Sequence, residues 1–86
     1  VEKFLKERGY VSKIGVLRRS DCPQSVLAEF AVNKQMEIRL IVAANPATPI
    51  DSLLLLAGDI DSSVRQTVIK NQSATAEVKA IASLLK

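Results

Sequence analysis

The residues able to do chemistry are few, and their spacing is more informative than their types. Asp59 and Asp61 are paired carboxylates two positions apart. Such a pair is a minimal acid–base or cation-binding unit. Two residues apart, however, carboxylates normally point in different directions, and Ca²⁺ asks for more oxygen ligands than this turn offers. Capping the helix that follows is the plainer expectation for Asp61. The chain has no His, and hence no imidazole base for neutral pH. It has no Gly-rich phosphate loop. Cys22 is the single cysteine; it cannot close an internal disulfide, and it reads as a reduced, half-buried residue. These residues argue against an enzyme, a resident metal and a cofactor.

The basic side chains are more promising. Lys13, Arg39 and Arg65 recur at intervals of 26 residues, so they form a column if the chain folds as stacked units. The structural reading is that each pairs with a turn acid such as Asp59 or Asp61, or holds helix-end carbonyls. The functional reading is a line of positive charge facing an acidic partner. Arg18 and Arg19 add a second basic feature. Net charge is +3 overall but +4 within residues 1–19 and −1 beyond, so the basic character belongs to the N-terminal end. A patch of Lys13, Arg18 and Arg19 is suited to phosphate. Single-strand binding usually adds stacking aromatics, and only Phe4 and Tyr10 lie nearby.

These side chains must be positioned by a repeated frame. Sliding Pro23 to Asn45 by 26 positions superposes it on Pro49 to Asn71. Pro23/Pro49, Leu27/Leu53, Ala31/Ala57, Arg39/Arg65, Val42/Val68 and Asn45/Asn71 are identical, without a gap. Val16 continues the register backwards, and Val78, Ile81 and Ala82 continue it forwards after one deletion. This reads as one domain over 1–86. A basic lead helix stopped by Gly9 and a degenerate unit occupy 1–21. Clear units occupy 22–47 and 48–73, and a closing helix occupies 74–86. Atypical ends are expected of a stacked array.

Each clear unit reads as two short helices. Thr48-Pro49 starts the first, with Thr48 as cap, Pro49 at the first helical position and Asp51 in the first turn. Leu53, Leu56 and Ala57 form its apolar stripe, and Gly58 stops it. Ile38, Val42, Val64 and Val68 mark the stripe of the second helix. Asn45 and Asn71 end it, in a left-handed conformation that Asn tolerates. No single helix buries its stripe alone; stacked units bury both. Aromatics make up only 3% of the chain, so the core must be aliphatic.

The run from Ile38 to Arg65 resembles the leucine-rich repeat variant family, whose pattern is roughly V-R-x-x-V-A-x-N-P-x-T-P followed by L-x-x-L-A-x-D-x-D-x-x-V-R. Asn45-Pro46-Ala47-Thr48-Pro49, Leu53, Leu56-Ala57, Asp59, Asp61 and Val64-Arg65 stand where that pattern places them. The resemblance extends over about residues 20–82 and weakens at Asn71-Gln72-Ser73-Ala74-Thr75, which keeps the Asn and loses both prolines. It implies an all-α, right-handed solenoid of paired α and 3₁₀ helices, found mainly in bacterial proteins. HEAT-like repeats are the broader relatives, with longer units of roughly 40 residues. Some members of the family carry an iron–sulfur cluster on clustered cysteines; a chain with Cys22 alone does not share it.

The expected function is therefore a non-catalytic protein-interaction or scaffolding module, with self-association into a homo-oligomer as one form of it. Nucleic-acid binding through Lys13, Arg18 and Arg19 is the alternative. No apolar run reaches the roughly 18 residues of a membrane span. Residues 1–10 are charged rather than signal-like, which with the lone cysteine points to the cytoplasm. Beginning at Val1, the chain reads as a processed form or a piece of a longer protein.

Overall fold

A computed structural model describes residues 13–84, with side chains from Gly15 onwards. The lead helix expected over residues 1–10, and Lys86 at the end of the closing helix, lie outside the described residues. Within them the chain is all-helical, with six helices and no strand. These are α1 (Lys13–Leu17), α2 (Gln24–Phe30), α3 (Met36–Ala44), α4 (Ile50–Ala57), α5 (Ser62–Lys70) and α6 (Ala76–Leu84). None exceeds nine residues. Helices this short are marginal alone in water, so packing must hold them.

The packing follows the stripes read from the sequence. Leu53, Leu56 and Ala57 are buried along α4, and Ile38, Val42, Val64 and Val68 along α3 and α5. Val78 and Ala82 continue the core into α6. Leu17, Leu27, Leu53 and Leu56 are its largest fully buried side chains, so the core is aliphatic as expected. α3 packs on α1 and on α5, so these three helices form one continuous row. α4 and α6 pack together on the opposite side, and α5 closes against both. Among the described residues no helix is long and apolar enough to cross a membrane.

The helix ends depart from expectation in instructive ways. Thr48 does not cap α4. It is buried, and its Oγ1 donates to the carbonyl of Val42 at 2.6 Å, satisfying an end of α3 instead. Pro49 stands just before α4, at φ −62° and ψ 153°, rather than inside its first turn. Asn45 and Asn71 are extended, at φ −76° and −71°, not left-handed. Gly58 ends α4 at φ −101°, also without a positive φ. Asp61 precedes α5 but makes no side-chain cap bond. In each case a polar side chain expected to serve its own helix end serves another element.

The 3₁₀ members implied by the resemblance do not form separate helices among the described residues. Three-residue closures appear instead as single turns between α-helices. Asn45 N–H donates to the Val42 carbonyl, and Thr48 N–H to the Asn45 carbonyl. The equivalent bonds join Asn71 to Val68 and Ala74 to Asn71. Pro46 and Pro49 cannot donate, which keeps this stretch from growing into a longer helix.

Candidate groove on the α1–α3–α5 row

Two sets of polar bonds recur along the stack and fix the row that carries the site. In the first, Asn45 Nδ2 donates to the carbonyls of Leu17 (2.7 Å) and Arg19 (2.8 Å), while its Oδ1 accepts from Ala47 N–H (2.8 Å). Asn71 repeats this 26 residues later. Its Nδ2 donates to the carbonyls of Ala43 (2.7 Å) and Asn45 (3.0 Å), and its Oδ1 accepts from Ser73 N–H (2.8 Å). Each Asn thereby satisfies helix-end carbonyls of the preceding helix in the row. Those carbonyls would otherwise be buried without a donor.

In the second set, Arg39 Nη1 donates to the carbonyls of Asn33 (2.9 Å) and Lys34 (3.1 Å) in the turn before its own helix. Its Nε and Nη2 reach forward to Asp59 at 2.8 and 3.2 Å, and Nη2 also reaches Asp61 at 2.8 Å. The Asp59 carboxylate also accepts Asp61 N–H at 2.9 Å, so the turn is closed before Arg39 grips it. Hydrogen bonds from Asp59 push the Arg39 pKa up; the two aspartate charges add to this, against the opposing effect of burial. Arg65 repeats the backward half of the pattern, donating through Nη1 to the carbonyls of Asp59 and Ile60.

The basic residues singled out from the sequence thus separate into two groups. The guanidinium groups of Arg39 and Arg65 are committed to the frame: the Arg39 side chain is 13% exposed, and Arg65 is buried. Lys13 opens α1, and its side chain lies outside the described residues. Arg19 forms a two-pronged ion pair with Asp21, at 2.7 and 2.9 Å. Arg18 differs. It is exposed and makes no ion pair among the described residues. The Asp59–Asp61 carboxylates converge on Arg39 rather than on an open space. Among the described residues no group of three or more potential metal ligands comes together. Cys22 is buried rather than half-buried, and desolvation, with the nearby Asp21 charge adding to it, pushes its thiol pKa up.

Arg18 lines a groove of about 350 Å³ that sequence reasoning did not anticipate. Leu40, Ile41, Ala44 and Pro46 form most of its lining, and Thr67 belongs to it from α5. Leu40 and Ile41 are only partly buried because they lie off the Ile38–Val42 stripe, on the outer side of α3. The signal was present in the 26-residue register. Positions 18, 44 and 70 hold Arg, Ala and Lys, so a small residue stands between two cations in one column. Lys70 is exposed in the last turn of α5 and also lacks an ion pair among the described residues.

This fold and surface define an all-helical repeat protein with an apolar groove on one helical row. Comparison with known proteins agrees with that class: the family model described as leucine rich repeat variant matches residues 36–61. The resemblance read from the sequence is thereby borne out in the segment that runs from α3 through α4 to Asp61. No curated protein and no solved structure matches the chain.

Proposed function

We propose that this chain is a section of a right-handed helical solenoid with units of about 26 residues, at 22–47 and 48–73, acting as a non-catalytic protein-interaction module. The observation that carries the reading is the groove, an open apolar surface on a row of helices whose polar groups are otherwise spent on the frame. Solenoids present such extended surfaces because each unit contributes an equivalent strip. A cleft with a mostly apolar lining and one converging charge has the chemistry of a binding site. The family match over residues 36–61 supports the repeat part of the proposal.

Nucleic-acid binding is the second reading, and Arg18 is the observation that favours it. Arg19 contributes less to that reading, because Asp21 already neutralises it at 2.7 Å. The groove lining is aliphatic, which suits an apolar side chain better than a base or a phosphate.

The test is site-specific photo-crosslinking. A benzophenone side chain at position 41, in the groove, is compared with one at position 83, exposed on α6. Protein adducts that require position 41 are expected. Adducts to nucleic acid, or equal labelling from both positions, refute the interaction reading.

A further inference from the structure

Resting on the interaction reading above, we infer that the groove recognises an acidic–aliphatic peptide segment. Its aliphatic side chain packs on Leu40, Ile41 and Ala44, and a neighbouring carboxylate pairs with Arg18. Charge complementarity fixes the choice. Arg18 is exposed at the lining of an apolar cleft and is without an ion pair among the described residues, whereas Arg19 beside it is already matched by Asp21. Lys70 adds a second unmatched cation in the same register, and Ala44 between them keeps the intervening position small.

The opposite end of the row has the opposite sign. Glu37 lies in the first turn of α3, about 10 Å from Ala44 at the helical rise per residue. A bound segment is therefore oriented, with its carboxylate at the C-terminal end of α3. Arg18 and Lys70 also sit at or just beyond helix C-termini, where any cation is favoured by the helix dipole. That alone makes them good for stability and says nothing of a ligand. The apolar floor next to Arg18 is what a dipole role does not require.

The experiment uses ¹⁵N-labelled full chain and three probes: acetyl-Gly-Ser-Leu-Asp-Leu-Ser-Gly-amide, the same peptide with Asn for Asp, and a twelve-nucleotide oligothymidine. The Asp peptide is expected to shift the amide resonances of Leu40, Ile41 and Ala44 and the Arg18 side-chain resonance. The Asn peptide is expected to bind roughly tenfold more weakly, the usual worth of one charge-assisted hydrogen bond. Arg18→Gln should reduce Asp-peptide affinity by about the same factor. Ala44→Glu, which places a carboxylate in the groove, should abolish binding. Both positions are exposed, and an unchanged helical circular dichroism spectrum confirms that each variant folds.

Equal binding of the Asp and Asn peptides, or undiminished binding to Arg18→Gln, overturns the inference. So does an oligothymidine that shifts the groove resonances where the peptide does not. If no peptide binds while position 41 still crosslinks to proteins, the inference falls and the interaction reading stands. If both fail, both fall.

Discussion

Replacing Asn71 by Ala removes three hydrogen bonds at once. Nδ2 loses the carbonyls of Ala43 and Asn45, and Oδ1 loses Ser73 N–H. Asn71 is 4% exposed, so water does not readily take its place. Each bond is worth about 1 kcal/mol net, and a buried group left unpaired costs about 1–3 kcal/mol. Two buried carbonyls and a half-buried N–H then give a loss of about 3 kcal/mol. For a small domain, with a urea slope of about 1 kcal/mol/M, the unfolding midpoint falls by about 3 M. The assay is urea unfolding followed by circular dichroism at 222 nm, with Gln72→Ala as an exposed control expected to stay within about 0.5 kcal/mol. Asn71→Asp is a sharper variant. It keeps the acceptor for Ser73 but has no donor for the carbonyls, and sets a negative charge against them. It should cost at least as much as Ala. A loss below about 0.5 kcal/mol for either variant refutes the argument that Asn71 joins α5 to α3.

The remaining expectations concern the core, the Arg clasp and the thiol. Leu56→Ala should cost about 2–5 kcal/mol in the same urea assay, because Leu56 is 1% exposed and its removal opens a cavity. Asp59→Ala should cost about 3 kcal/mol, since it leaves the largely buried Arg39 with a lesser partner, whereas the half-exposed Asp61 should cost under about 1 kcal/mol when changed to Ala. Equal losses at the two aspartates contradict that ranking. Cys22 should react with iodoacetamide far more slowly in the folded chain than in urea, because burial raises its pKa and blocks access. The sign also sets a pH dependence: the thiol's contribution to stability is intact below the ordinary cysteine pKa and is lost as pH climbs through the raised one. Rapid labelling under native conditions at neutral pH counts against this placement of Cys22.

The helices and core were legible in the sequence because burial imposes a period. Leu53, Leu56 and Ala57 had to share a face, and so did Val64 and Val68; the structure buries all five. The polar positions were legible as a column but not as roles. The 26-residue recurrence of Asn45/Asn71 and Arg39/Arg65 marked them as structural, yet local rules assigned Asn71 and Asp61 to their own helix ends. The structure instead sends Asn71 back to Ala43 and joins Asp61 to Arg39, bonds that span 28 and 22 residues. Local capping rules cannot see partners brought in by stacking. The groove was hidden for the converse reason. Leu40 and Ile41 look like more core in a run of apolar residues, and only packing decides which apolar side chains remain at the surface.

The division of labour between edges and faces bears on what the molecule can evolve to do. The Asn and Arg bonds hold the turns and helix ends, and they repeat because each unit presents the same orphan carbonyls to the next. Leu40, Ile41, Ala44 and Arg18 take part in none of these bonds. Their side chains can change without leaving a buried polar group unpaired, so the cost of altering the groove is small beside the cost of altering the frame. A repeat built this way holds its shape through residues that cannot vary freely and offers a surface that can. If the frame also depended on the groove, Ala44→Glu would unfold the chain along with losing the peptide. Retention of native helicity in that variant therefore tests the separation itself.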